Sequence, residues 1–165
     1  MKLEAIPDGS FVFIDANIFI YHFTATSLSC REFLTRCSSG ILHGITSLPV
    51  LLEVAHRLMV IEAQQKGLVR GPNPGQKLSR SPTLVKKLHL YEEWTLAIPR
   101  MGIEVAEVTF SDFLMSMRMR QKTGLLTLDA LILAVMNRMK IPNLASADRG
   151  FSGIEGVRLF SPHDT

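Results

Sequence analysis

Two rhythms of apolar and polar positions alternate along the chain, and together they predict strands interleaved with helices. Phe11-Val12-Phe13-Ile14 is short, aromatic and β-branched, and it ends at Asp15; it reads as a buried strand. A short helix over Ile18–Phe23 follows. Ser27 or Ser29 can cap a second helix that runs to about Cys37, with Phe33 and Leu34 inward and Gly40 as its stop. Leu42–Thr46 reads as the second strand. Ser47 then caps a long helix with Pro49 near its first turn, where a missing N–H costs nothing. Its inward stripe is Val50, Leu51, Val54, Leu58 and Ile61, at close to helical period.

The rhythm stops at Gly67–Pro82, where Gly67, Gly71, Pro72, Pro74, Gly75 and Pro82 cluster. Neither side of this break completes a sheet alone. It therefore reads as an excursion from a single 1–165 domain rather than a boundary. An amphipathic helix over Leu84–Ile98 resumes with Leu88, Tyr91 and Trp94. A strand follows over Ile103–Val108, then a Met-rich helix over Ser111–Lys122 that Gly124 ends. Thr127–Met139 is helical and apolar almost all round, which predicts a central position. Pro142 breaks it, and short strands follow over Asn143–Ser146 and Val157–Phe160. Strands alternating with helices predict an α/β fold, a three-layer α/β/α sandwich around a central, mostly parallel sheet.

Composition narrows the class. Of 165 residues, 47% are hydrophobic and 20% charged, which suits one globular domain with a sizeable core. No apolar run approaches the roughly 20 residues of a membrane span, and the first residues lack the apolar stretch of a signal peptide. The expectation is a cytoplasmic protein with no membrane partner. Cys30 and Cys37 lie seven positions apart in one predicted helix. At about 1.5 Å of rise per residue their Cα atoms are roughly 10 Å apart, too far for a disulfide. The five histidines show no zinc-ligand spacing.

The net charge of +3 hides an uneven distribution. From Lys66 to Lys87 the chain carries Lys66, Arg70, Lys77, Arg80, Lys86 and Lys87 and no acid. A solvated loop with ordinary lysines would look the same, but such a stretch also suits a phosphodiester partner.

Four acids carry the candidate chemistry because each stands where a predicted element begins or ends. Asp15 follows the first strand and Glu53 lies in the helix after Thr46-Ser47. Asp129 opens the apolar helix, and Asp148 follows the strand ending at Ser146. Each has a plainer use: Asp15 as a helix cap, Glu53 as an i,i+4 partner of Arg57, Asp129 as a first-turn acid, Asp148 as a turn residue. In a parallel α/β sheet, however, these junctions share one rim, where ligands bind. Two unit charges about 4 Å apart repel by roughly 4 kcal/mol at an effective dielectric near 20. A rim of four carboxylates therefore predicts a hard divalent cation, Mg²⁺ or Mn²⁺. Asn17, Thr46, Ser47 and Ser146 flank the acids and are candidates to orient them.

With these residues in place the chain resembles the PIN-domain nucleases, and within them the VapC-type toxins. The matching segments are Phe13-Ile14-Asp15-Ala16-Asn17-Ile18-Phe19, Thr46-Ser47 with Val50-Leu51-Leu52-Glu53-Val54, Leu128-Asp129-Ala130-Leu131-Ile132-Leu133-Ala134 and Leu144-Ala145-Ser146-Ala147-Asp148-Arg149-Gly150-Phe151. The resemblance implies Mg²⁺- or Mn²⁺-dependent cleavage of RNA to 5′-phosphate and 3′-hydroxyl ends. It implies Asp15, Glu53, Asp129 and Asp148 as the acidic site, with Asp15, Asp129 and Asp148 as metal ligands and Asn17, Ser47 and Ser146 in support. Ser146 stands where a threonine is usual. The resemblance also implies a small antitoxin partner and a homodimer, for which the helices around Phe33 and Tyr91–Trp94 are candidate surfaces. Arg70, Lys77, Arg80, Lys86 and Lys87 would contact RNA phosphates. The Glu53-to-Asp129 spacing is long for a compact VapC, and the excess falls in the excursion. A PIN-type nuclease of RNA maturation, or a PIN-fold module that binds without cutting, are the alternatives.

Overall fold

The computed structural model describes residues 1–165. Five parallel strands form one sheet in the order β3-β2-β1-β4-β5, comprising β1 (Phe11–Ile14), β2 (His43–Ser47), β3 (Glu104–Ala106), β4 (Asn143–Ala145) and β5 (Arg158–Phe160). The α/β expectation stands, and every pairing is parallel. The strand order decides where helices go. Going from β1 to β2 to β3 the chain moves toward one edge; going on to β4 and β5 it reverses. Right-handed crossovers therefore put the first set of helices on one face and the second set on the other. The first set is α1 (Ala16–Phe23), α2 (Leu28–Ser38), α3 (Leu48–Gln65), α4 (Pro74–Ser79), α5 (Pro82–Val85) and α6 (Leu90–Arg100). The second is α7 (Phe110–Thr123) and α8 (Thr127–Met139).

The strands are buried on both faces, as parallel strands must be: Val12, Phe13, Ile14, Leu144 and Ala145 are all but inaccessible. Helix α3 turns Val50, Val54 and Leu58 fully into this core, and α8 buries Ala130 and Ile132–Met136. Both cysteines are free and buried, and burial pushes their thiols up to about 11 (Cys30) and about 12 (Cys37).

Four boundaries differ from expectation, each for a local reason. The strand expected over Ile103–Val108 shrinks to Glu104–Ala106, because the Glu107 carbonyl turns to accept from Arg138 Nη2 (2.6 Å) and Thr109 begins a helix cap. Ser47 occupies the cap position of α3 but its side chain makes no cap bond. The helix expected over Leu84–Ile98 is two helices, α5 and α6, separated at 86–89. The excursion is itself folded: α4 and the start of α5 lie in it, around a small satellite core of Ala63, Val69, Leu78 and Leu88.

One buried acid explains the last two differences. Glu62, at 1% exposure on the far half of α3, accepts from the backbone N–H of His89 (3.2 Å) and Tyr91 (3.0 Å) and from Lys66 Nζ (2.6 Å). Its carboxylate thus caps α6 from a neighbouring helix and supplies the acceptors that a new helix start needs. Burial works against this charge, but the Lys66 and backbone hydrogen bonds outweigh it and hold the carboxyl down at about 2.

Candidate active site

The sheet order reverses between β1 and β4, and in open parallel sheets the crevice at such a point is where ligands bind. Asp15 stands at the end of β1 and Ser146 at the end of β4, directly across this point. A tight polar net joins the two strand ends. Ser146 Oγ donates to Asp15 Oδ2 (2.6 Å) and accepts from Asn17 Nδ2 (3.1 Å) and from the Asp148 N–H (3.0 Å). Asn17 Nδ2 also donates to Asp15 Oδ2 (2.5 Å), while Asn17 Oδ1 accepts from the Ala147 N–H (2.9 Å). The Ala16 N–H donates to Asp15 Oδ1 (2.7 Å), and Thr46 Oγ1 ties β2 to the Ile14 carbonyl (3.0 Å). The net fixes Asp15 in one rotamer. It also uses up most of the acceptor capacity of Oδ2, leaving a lone pair on Oδ1 for anything in the crevice.

The other three acids arrive from separate elements. Asp148 follows β4; its Oδ1 accepts from the Gly150 N–H (2.7 Å) and its Oδ2 is free. Glu53 lies on α3 and meets Arg57 at only 3.7 Å. Asp129, in the first turn of α8, accepts no hydrogen bond at all. The plainer uses are therefore real for Asp15, Asp148 and Glu53. Asp129 also stands in the first turn of α8, as its plainer use requires, but that use does not explain its raised carboxyl.

Electrostatics brings the four together. Burial pushes the Asp129 carboxyl up to about 6, with the charges of Asp15, Asp148 and Glu53 adding to the rise. Burial likewise raises Asp15; Ser146, Ala16 and Asn17 oppose the rise and Asp148 adds to it. Glu53 is raised by burial and then by Asp15, with Arg57 opposing. Repulsion of this kind marks a place prepared for positive charge.

Whether the donor set suits a hard cation can be judged from its spacing. No three His, Cys, Asp or Glu side chains come close enough to enclose an ion among themselves. Mg²⁺ keeps several waters and takes one or two carboxylates directly, so it needs no such enclosure. Asp129 and Asp148 offer unoccupied oxygens, Asp15 offers one lone pair, and the crevice holds a surplus of negative charge. The residues fit. A groove of about 710 Å³ runs between the α7–α8 hairpin and 150–157. It meets the crevice only near Gly150, and its one acid, Glu155, is paired with Lys122.

Comparison with known proteins decides the family. The family model for the PIN domain matches residues 12–157. The chain belongs to the PIN domain family. In fold it is similar to a toxin–antitoxin complex from Klebsiella pneumoniae, at 21% identity and a TM-score of 0.58, over 89% of this chain and 95% of that one. It is also similar to VapBC2 from Rickettsia felis bound to a DNA fragment from its promoter, at 16% identity and a TM-score of 0.57, over 92% and 98% of the two chains. At such identities these likenesses speak for the fold. No curated protein matches the chain.

The basic candidates lie off the rim. Gly75, at the start of α4, packs against Val60 and His56, and His56 lies three residues, about one helical turn, past Glu53. The excursion therefore flanks the α3 side of the crevice. Arg80, Lys86 and Lys87 are exposed on it, as is Arg70, whose guanidinium lies beside Gly67. Lys77 is exposed too, but its Nζ donates to the Arg70 carbonyl (2.6 Å) and braces the loop. Of the acids, sequence reading passed over Glu62 and Asp112, both buried and both structural. The signal for Asp112 was present in Thr109-x-x-Asp112, a capping box.

One prediction follows from the raised carboxyl of Asp129. In metal-free protein its ionisation costs stability above about pH 6, and that cost fades as pH falls from there toward the ordinary 3.8. Asp129→Asn is therefore expected to raise the Tm in EDTA at about pH 7.5, with a smaller gain at about pH 4.5. Added Mg²⁺ should raise the Tm of wild type more than that of the variant. Thermal melts at the two pH values check this; an Asn variant less stable than wild type at both would contradict it.

Proposed function

We propose that this PIN-domain protein is a Mg²⁺- or Mn²⁺-dependent endoribonuclease and the toxin of a toxin–antitoxin pair. The observation that carries the reading is Asp129: a half-buried carboxylate without a hydrogen-bond donor, pushed up to about 6 beside three further acids at the β1/β4 switch point. A cation bound there would polarise the scissile phosphate and lower the pKa of a bound water toward 7. Asp129 and Asp148 would hold it, and Asp15 would contribute through Oδ1 or a water. Ser146 and Asn17 keep Asp15 in place, so its carboxylate meets the incoming phosphate without rearranging. Glu53, half-buried on α3 near Asp15, would orient the attacking water. Ser47, buried at the end of β2, would support the rim on that side. Cleavage with a 3′-hydroxyl leaving group gives 5′-phosphate ends.

The toxin assignment draws on the family together with the likeness to toxin–antitoxin complexes. A small antitoxin encoded by a neighbouring reading frame is its natural partner. A cytoplasmic location is part of the same proposal; no helix is long and apolar enough to cross a membrane.

Arg70, Arg80, Lys86 and Lys87 are the proposed phosphate contacts, with Lys77 supporting the loop that carries them. RNA binding, measured in EDTA to suppress cutting, is expected to weaken steeply with salt. Arg80→Ala combined with Lys87→Ala should weaken it further and flatten the log–log salt slope by about 0.7 for each phosphate that is no longer neutralised. Fluorescence anisotropy with a single-stranded RNA at several salt concentrations reads both. An unchanged slope in the double variant would remove the excursion from the RNA path.

A further inference from the structure

The groove between the α7–α8 hairpin and residues 150–157 has a lining that the four acids do not explain. Its volume of about 710 Å³ falls in the range of small-molecule clefts, roughly 300–1,000 Å³. Buried Leu133 and Met136 line it from α8, and half-buried Met119 and Ile154 line it from α7 and from the loop. Methionine thioethers are soft and polarisable and make favourable contacts with aromatic rings. Two of them, with leucine and isoleucine, suit a flat ring. Two polar groups on the same groove are left to solvent. Asn137 is exposed on α8, and its amide, a donor and an acceptor side by side, has no hydrogen-bond partner in the chain. Lys140 has no ion-pair partner and occupies the left-handed position that ends α8 (φ 56°). Glycine is usual at such a position, so the lysine stands there at some cost to the backbone.

The position of the groove says which ring. Gly150 belongs to groove and crevice alike: its N–H donates to Asp148 Oδ1 (2.7 Å), and a Cβ there would stand 3.1 Å from the same oxygen. An occupant that reaches Gly150 therefore lies next to a site acid. Arg149, between these two residues in sequence, is exposed and has no ion-pair partner. It can meet a phosphate that joins the groove to the crevice. The Lys122–Glu155 pair spans the walls at 3.3 Å, and so exposed a pair is too weak to keep an occupant out. A flat ring with hydrogen-bonding edges, tied to a phosphate and lying beside a phosphodiester-cleaving crevice, is a nucleobase. Unstacked bases are also the means by which single-stranded RNA is read.

We propose that the groove takes the base of one RNA nucleotide beside the scissile phosphate. Met119 and Met136 lie against the ring, Asn137 reads its edge, and Lys140 and Arg149 meet the adjoining phosphates. This rests on the nuclease reading of the crevice and adds to it the source of sequence preference. A metal and its carboxylates act on the phosphate, which is the same at every nucleotide; discrimination needs contacts to the base itself.

Two readouts of the full chain test it. In EDTA, with the methionine methyl groups ¹³C-labelled, the protein is titrated with a short single-stranded RNA and, separately, with nucleoside 5′-monophosphates. RNA should shift the methyl signals of Met119 and Met136 and leave those of Met1 and Met59, which do not line the groove, in place. With Mg²⁺ and a pool of RNA of randomised sequence, wild type should favour one base at a fixed position next to the cut. Asn137→Ala, which removes the edge contacts, and Met119→Trp, which fills the groove, should each lower that preference about fivefold or more, the lower end of what one bidentate base contact gives. Met119 and Met136 signals that RNA leaves unmoved overturn the proposal, as does a base preference that both variants retain. Shifts with mononucleotides and none with RNA overturn it too, making the groove a site for free nucleotides. Shifts with RNA in a protein that cuts no RNA would sink the nuclease reading and uphold the groove as a base site.

Discussion

Asp15→Asn is expected to lower RNA cleavage at least about a thousandfold, roughly 4 kcal/mol of transition-state stabilisation, while RNA binding is kept. The asparagine fits the space, and its Oδ1 still accepts from Ala16. What it loses is the charge and the Oδ2 acceptor: the Ser146 hydroxyl can turn to accept from the new amide, while Asn17 Nδ2 keeps only its bond to Ser146 Oγ. Removing a negative group from the phosphate's path should leave affinity equal or slightly better, so the loss will appear in the rate. Stability is expected to change by no more than a few degrees, because burial already pushes the Asp15 carboxyl upward and its charge costs the fold energy. Single-turnover cleavage beside anisotropy binding separates the two. Retained cleavage would remove Asp15 from the site, and lost binding would make its role structural.

Glu62→Ala should be the most destabilising change outside the main core. It strands the N–H groups of His89 and Tyr91 and leaves the Lys66 ammonium with only the Lys87 carbonyl and water. Leaving such donors without an acceptor costs about 2–4 kcal/mol, or roughly 5–15 °C in a chain of this size. The satellite core should open first, exposing 67–89 to proteolysis before the sheet melts. The pH dependence has a definite sign. The folded carboxyl is held at about 2 against an ordinary 4.5. Its stabilisation is therefore complete above about pH 4.5 and is lost as pH falls from there toward 2. Acid titration of Glu62→Gln should lack this component. A melting point within about 2 °C of wild type for Glu62→Ala would contradict the account.

Much of the fold was legible because hydrophobic period and punctuation agreed. Phe11–Ile14 had only one sensible reading, and the Gly124 stop and the apolar ring of α8 were equally clear. What failed to show were interactions between elements distant in sequence. Nothing near Lys86–His89 signals a break, since the acid that starts α6 sits a long way back, on α3. The surplus apolar surface of α3 beyond Leu58 read as helix core and in fact supports the satellite core. In α7, read from sequence only as Met-rich, the buried positions are Asp112 and Ser116.

The site was legible to a similar degree. Asp15, Asp129 and Asp148 do stand at element ends, whereas Glu53 lies in the second turn of α3 and joins them only through its charge. The net of Ser146, Asn17 and Asp15 was visible only as polar flanks, because its hydrogen bonds cross 131 residues of sequence. That Asp129 would be the acid without a donor was not visible at all.

The most direct measurement is cleavage of single-stranded RNA by purified wild type in EDTA and after return of Mg²⁺ or Mn²⁺, with Asp15→Asn prepared alongside and the product ends identified. The account predicts no cutting in EDTA, restored cutting with either ion, 5′-phosphate ends, and no cutting by the variant. Cutting that persists in EDTA and leaves cyclic phosphate ends would contradict it, as would wild type that binds RNA with either ion present and leaves it intact.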